Sequence, residues 1–458
     1  MYQINFDLPI HVYFVGIGGV SMSGLAQILI NKGFTVSGSD MKASPLTKTL
    51  EAQGVSVFYG HRESNISNEI DLIVYTAAIN PENPELIKAG NLNIPMITRA
   101  QLLGQIMKNY QTPITISGTH GKTTTSSMIS QLLLDYDTDP TLTIGGILKS
   151  INTNIRIGNS GYFVAEACEY TNSFHSFFPK IAIILNIEED HLDFFKDLED
   201  IRNSFRKYAT LIPADGTLII NGDIDNVEEI TDGLECNVVT FGTLDKCDYR
   251  ISNIIPNASG TTFDFILPDK TIHSVTLNVP GNHNIQNATA CATLAEILNI
   301  PYEVYGKSLL NFTGAGRRFD YKGTIGGVKI IDDYAHHPAE INATLSAARQ
   351  CEYNTLWCVF QPHTYTRTKA LFDDFVESLS LADKVVLADI YAARETDTLG
   401  ISSRDLQKAL LKRNIPCYYF PTFDEIENFL LQNCINGDLL ITMGAGDIVK
   451  VGENLLGQ

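Results

Sequence analysis

The segment Ile116-Ser-Gly118-Thr119-His120-Gly121-Lys122-Thr123-Thr124 carries residue types suited to holding a nucleoside triphosphate. Glycines without Cβ let backbone N–H groups converge on phosphate oxygens, and a helix that follows points its positive end at them. Lys122 can bridge the β- and γ-phosphates, and Thr123 can place its hydroxyl on Mg²⁺. The position five residues before Gly121 is Ile116 rather than glycine, so this is a short Gly-Thr-x-Gly-Lys-Thr form. A plain strand-to-helix turn is the other reading, but Gly-Lys-Thr after a β-branched run favours an ATP site.

A second glycine loop, Val15-Gly16-Ile-Gly18-Gly19-Val-Ser21, also follows a strand pattern and opens a helical one. It can seat a pyrophosphate, although Ser21 stands where the dinucleotide fingerprint has its third glycine. Asp40, ending the next strand pattern, could meet a ribose hydroxyl. For this loop alone a nicotinamide oxidoreductase and a purely structural turn stay open. Its presence beside a separate ATP loop points to a nucleotide-carrying substrate acted on by ATP.

Glu166-Ala-Cys168-Glu169-Tyr170 and Glu188-Glu189-Asp190-His191-Leu192-Asp193 each lie at the end of a buried strand pattern. Open α/β sheets bind ligands at such ends. Glu166 and His191 are candidate ligands of a hard cation, directly or through water, whereas Glu188 and Glu189 read as a solvated turn. Glu169 should raise the pKa of Cys168 rather than activate its thiol. His283 and Asn287 either begin a helix or meet a nucleotide base, His283 by stacking and Asn287 by hydrogen bonding. Arg317 and Arg318 either fix a domain junction or stabilise charge on a γ-phosphate. In Asp332-Asp333-Tyr334-Ala-His336-His337-Pro338 the adjacent histidines diverge, one capping or packing while the other contacts ligand. In Gln361-Pro-His363-Thr-Tyr-Thr-Arg367, the arginine can clamp a carboxylate.

The elements that must position these residues form three α/β blocks. The first has strands at 11–15, 34–37, 55–59 and 71–76 and helices at 21–32 and 100–108, the alternation of a parallel sheet. Residues 109–113 read as a linker. The second block has strands at 114–117, 161–165 and 181–186, a helix at 123–134 and a closing helix at 284–298. Its runs 238–241, 262–266 and 274–277 read as antiparallel hairpin strands added at one edge. The third has strands at 329–332, 356–360, 384–388 and 439–443. The expected fold is α/β with three domains, 1–109, 110–312 and 313–458: Rossmann-like, P-loop ATPase with extra antiparallel strands, and Rossmann-like.

The whole chain agrees with this class. Its 458 residues suggest about three domains, and 44% apolar with 19% charged residues fit well-filled cores. A net charge of −19 argues against nucleic acid and anionic membrane surfaces. No apolar stretch approaches the ~20 residues that cross a bilayer. Eight sparse cysteines without Cys-x-x-Cys suggest reduced thiols. The start lacks a secretory pattern, so a cytoplasmic location is expected.

Gly16-x-Gly-Gly19 with Met22-Ser-Gly24, Gly118–Thr124, Asp190-His-Leu-Asp193, Gly281-Asn-His-Asn284, Gly316-Arg-Arg-Phe319, Asp333–Pro338 and Gln361-Pro-His363 together resemble the Mur ligases, in order and over roughly residues 10–450. The likeness is strongest to the members that add the first amino acid. It implies an ATP-dependent amide ligase of peptidoglycan synthesis, joining L-alanine to the lactyl carboxylate of UDP-N-acetylmuramate through an acyl phosphate. The implied partners are those small molecules, ATP and Mg²⁺ (Mn²⁺ as the alternative), in a monomer or homodimer.

The resemblance assigns Gly16, Gly18, Gly19, Ser21, Asp40 and His61 to the UDP-sugar. It assigns Gly118, Thr119, His120, Gly121, Lys122, Thr123, Thr124, His283, Asn287, Arg318 and Asp333 to ATP. Tyr334, His336, His363 and Arg367 fall to the amino acid, and Thr123, Glu166 and His191 to the metal. Lys122, Glu166, His191, Arg318 and His336 would carry the chemistry. Cys168 and Tyr170 replace a common Asp and Ser, Thr364 a common Arg, and Ala335 a common Gly. A murein tripeptide ligase of the same family, an oxidoreductase and a catalytically silent binding module are the competing readings.

Overall fold

The run His11-Val-Tyr-Phe-Val15 is β-branched and aromatic after its first residue, and its last four side chains are fully buried. Such a run suits the middle of a parallel sheet covered on both faces. The computed structural model describes residues 2–76, 79–191, 194–256, 260–393 and 395–458. Two compact units are present: Met1–Gly145 with Thr153–Arg250 and Ala290–Val304, and Gly146–Asn152 with Ile251–Thr289 and Tyr305–Gln458.

In the first unit, one sheet has the order Ser56–Tyr59, Thr35–Asp40, His11–Val15, Leu72–Tyr75, Met96–Thr98, parallel at every pairing. The chain runs outward in both directions from the central pair, and the first glycine loop leaves the C-terminal end of His11–Val15 at that switch point. A further sheet aligns Asn237–Gly242, Thr217–Asn221, Ile181–Ile184, Thr112–Ser117, Tyr162–Glu166 and Thr141–Leu148, parallel at each described pairing. Thr112–Ser117 therefore has a neighbour on each side, and all three strands end around the Gly118–Gly121 loop. One continuous apolar core, including Leu102, Leu103, Phe163, Phe174 and Phe205, lies under both sheets.

In the second unit, Thr261–Ile266 and Ile272–Leu277 form an antiparallel hairpin. A six-stranded sheet has the order Asp320–Ile325, Val328–Asp333, Leu439–Met443, Leu356–Phe360, Lys384–Leu387, Cys417–Tyr419, antiparallel only at its first pair. Along Leu356–Phe360, residues 356, 358 and 360 enter one apolar cluster and 357 and 359 another. Burial on both faces explains its unbroken apolar sequence.

The protein is α/β, with a parallel N-terminal sheet, mixed strands in the middle of the chain and a mostly parallel C-terminal sheet. Two local expectations change. Asn237–Gly242 is not a hairpin strand; it pairs in parallel with Thr217–Asn221, reached through the short helix Glu228–Thr231. The expected linker is partly strand, because Thr112 and Pro113 already align with Tyr162 and Phe163. Proline is tolerated there at the start of the strand.

Candidate active site

Glycine conformation shapes the loop from Gly118 to Gly121. Gly118 and Gly121 hold φ of +142° and +85°, values that a Cβ would strain, and Gly121 is the N-cap of the helix Lys122–Asp135. Asn186, just beyond the neighbouring strand, clamps the loop: its Oδ1 accepts the His120 N–H at 2.8 Å and its Nδ2 donates to the His120 carbonyl at 3.1 Å. Thr119 is tied to Glu188, whose backbone N–H donates to the threonine hydroxyl at 2.9 Å. The Lys122 ammonium donates to the Thr119 carbonyl at 3.0 Å, to the Gly118 carbonyl, and to both Glu169 oxygens at 3.0 and 3.2 Å. Burial alone would depress the lysine pKa, but the carboxylate beside it wins and holds it above its ordinary value. Burial and Glu169 push the Cys168 thiol up, as expected, which disfavours the nucleophilic thiolate.

Glu166 ends its strand beside this loop. Its Oε1 accepts the Ser126 hydroxyl at 3.0 Å and the Gly145 N–H at 2.6 Å. His191 has φ of +52° and stacks on Tyr170, with ring centroids 4.5 Å apart. Asp193 lies outside the described residues. Among the described residues no three His, Cys, Asp or Glu side chains gather into a metal cage. A few protein oxygens beside a phosphate loop suit Mg²⁺, which takes most of its ligands from phosphate and water.

The first glycine loop is braced from below. The Ser39 carbonyl accepts the N–H groups of Gly16 and Ile17 at 2.8 and 2.9 Å. Asp40 accepts the Gly18 N–H at 2.9 Å, so its carboxylate is already engaged by the loop. Ser21 receives a hydrogen bond from Arg99 at 3.1 Å. His61 lies 2.9 Å from Glu85, a fully buried carboxylate that also accepts from Tyr13, Ser39 and Asn65.

In the second unit a polar cluster forms at the C-terminal ends of Val328–Asp333 and Leu356–Phe360. Arg317 donates to Asp332 at 2.9 Å and to the carbonyls of Gly444 and Gly446; it locks strand ends together. Arg318 sits 5.3 Å from the Tyr334 ring and 3.9 Å from Glu340. Asp333 accepts the Phe319 and Ala335 N–H groups, and burial pushes its carboxyl up to about 6 despite Arg318. His337 is the N-cap of the helix Pro338–Ala348, leaving His336 to face His363 at 5.7 Å between ring centroids. Burial lowers the His336 pKa, so the ring is neutral near pH 7. Arg367 lies 3.2 Å from His363 Nδ1. Thr364, between them, holds φ of +67°, a strained value for a β-branched residue. In the same unit, His283 is exposed and Asn287 is buried, donating to Asn284 at 3.2 Å.

Three family descriptions match consecutive parts of the chain: the Mur ligase family catalytic domain over residues 11–111, the Mur ligase middle domain over 116–295, and the glutamate ligase domain over 317–446. The chain belongs to the Mur ligase family. Curated Mur ligases from Agathobacter rectalis and Lachnospira eligens, both named UDP-N-acetylmuramate–L-alanine ligase, are 56% identical to it over 100% of each chain. The solved UDP-N-acetylmuramate–alanine ligase MurC of Thermotoga maritima is 27% identical over 98% of both chains, with a TM-score of 0.82. A murein peptide ligase from Psychrobacter arcticus shares the Mur ligase fold at 22% identity and a TM-score of 0.73.

Within this Mur ligase the sequence reading did not single out Glu169, Asn186, Glu85 or Glu340 as partners of the candidate residues. For Glu340 a signal existed: Pro338 and Glu340 follow His337 at the spacing of a capping box. For Glu169 there was none, because its lysine is 47 positions away.

Proposed function

We propose that this Mur ligase joins L-alanine to the lactyl carboxylate of UDP-N-acetylmuramate, driven by ATP cleavage to ADP and phosphate, in peptidoglycan precursor synthesis. The observation that carries the reading is 56% identity over the full length to relatives named for that activity. The substrate carboxylate attacks the γ-phosphorus in line and ADP leaves. The amine of L-alanine then attacks the acyl carbon of the acyl phosphate, and phosphate leaves. Gly118, Thr119, His120, Gly121, Thr123 and Thr124 cradle the phosphates, and Lys122 leaves Glu169 to meet the transferring group. Mg²⁺, held by Thr123 and Glu166 with His191 near, would neutralise developing charge.

His283, Asn287, Arg318 and Asp333 are the remaining ATP contacts of this proposal. The UDP-sugar falls to Gly16, Gly18, Gly19, Ser21, Asp40 and His61, and the amino acid to Tyr334, His336, His363 and Arg367. The domains are 1–109, 110–312 and 313–458, and the enzyme works in the cytoplasm. Among the described residues no helix is long and apolar enough to cross a membrane.

Incubating the purified protein with ATP, Mg²⁺, UDP-N-acetylmuramate and either L-alanine, glycine, L-serine or the murein tripeptide tests this. Phosphate release and a UDP-sugar product with L-alanine are expected. Product with tripeptide alone overturns the assignment.

A further inference from the structure

The His336 ring nitrogen Nδ1 lies 3.0 Å from the Tyr334 carbonyl oxygen and 3.2 Å from Glu340 Oε2. A carbonyl and a carboxylate both accept, so Nδ1 must carry the ring hydrogen. In the neutral ring the lone pair is then on Nε2. The same Glu340 oxygen accepts the backbone N–H groups of His336 and His337 at 3.0 and 3.3 Å. Oε1 faces the Arg318 guanidinium at 3.9 Å.

We propose that Glu340 is a positioning residue for the ligation step: it holds His336 as the Nδ1–H tautomer, with Nε2 turned to the incoming amine. The inference deepens the proposed function and rests on it. An ammonium substrate must shed a proton before it can attack, and a neutral imidazole with a defined acceptor nitrogen can take that proton. The groups facing His336 are Tyr334 two residues before it, Glu340 on the helix that follows it, Arg318 from the loop before Asp320–Ile325, and His363 and Arg367 from the segment after Leu356–Phe360. Burial and the two arginines favour the neutral ring, while Glu340 and, more weakly, the Tyr334 carbonyl draw the ring towards protonation and so make it more basic.

A glutamine at 340 keeps an oxygen for the two backbone N–H groups and loses only the charge. For Glu340→Gln, the His336 titration read by NMR moves down by about one pH unit. The acid limb of kcat/KM for L-alanine follows it, and kcat/KM falls on the order of tenfold while KM for ATP holds. In a His336→Gln background the second change costs nothing further, because the two residues act as one unit. A purely capping Glu340 would leave the His336 titration unmoved, or give the same loss in both backgrounds; either result overturns the proposal. Should the parent enzyme yield no alanine product, the functional reading fails by itself, and the titration still decides the role of Glu340.

Discussion

Lys122 and Glu169 meet at 3.0 Å, so the cation proposed to meet phosphate has an internal carboxylate partner. In the proposed reaction, exchanging that carboxylate for a γ-phosphate would keep the buried ammonium paired throughout. Lys122→Ala should lower ATP-dependent product formation on the order of 10³-fold, the loss expected for one charge-stabilising donor, as read by phosphate release. Asp333 gives a pH signature. Its carboxyl titrates at about 6 in the fold against 3.8 in the open chain, so the folded state holds the proton more tightly. The resulting stabilisation is fully present below pH 3.8 and fades as pH rises through 6. Relative to Asp333→Asn, the parent should lose about 2 kcal/mol between pH 4 and pH 7 in denaturant unfolding. An unchanged difference would show the carboxyl to be solvated.

Helix Arg99–Met107 shows how an element is placed by one small residue. A Cβ on Gly104 would stand 1.8 Å from the Ser176 carbonyl oxygen. Backbone must move to admit it, and both segments belong to the apolar core that includes Leu102, Leu103 and Phe174. Gly104→Ala should therefore destabilise the first unit by about 1–3 kcal/mol. Thermal unfolding measures this, and a change below half a kilocalorie would mean that the helix can slide. The same element logic divides the two histidines of the third block. His337 is used up as the N-cap and Glu340 completes the capping box, which leaves His336 as the histidine proposed for chemistry.

For the whole molecule, binding should read out as stability. Mg-ATP at a hundred times its Kd adds about 2.7 kcal/mol to any state that binds it, so the unfolding temperature should rise with nucleotide. Lys122→Ala should remove most of that rise, read against its own unliganded transition, which the unpaired buried Glu169 should lower. The net charge of −19 makes the general field repulsive to its anionic substrates. Attraction must come from local N–H cradles and a few cations, which are less screened than surface charges. Raising salt should thus leave KM for UDP-N-acetylmuramate unchanged or lower it, in contrast to a protein that steers anions with a basic surface.

Both glycine loops, the strand ends that carry Glu166 and His191, the raised Cys168 thiol and the apolar run Leu356–Phe360 were legible in the residues alone. Each is local: backbone freedom at glycine, period of burial, or the charge of a neighbour determines it. The parallel pairing of Asn237–Gly242 was not legible, since alternation says which face is buried but not which strand lies alongside. Nor were the separate duties of Arg317 and Arg318, the Asn186 clamp or the partnership of Lys122 with Glu169. Those depend on groups apart in the chain, brought together only when sheet order and burial decide which charges must share the same dry space.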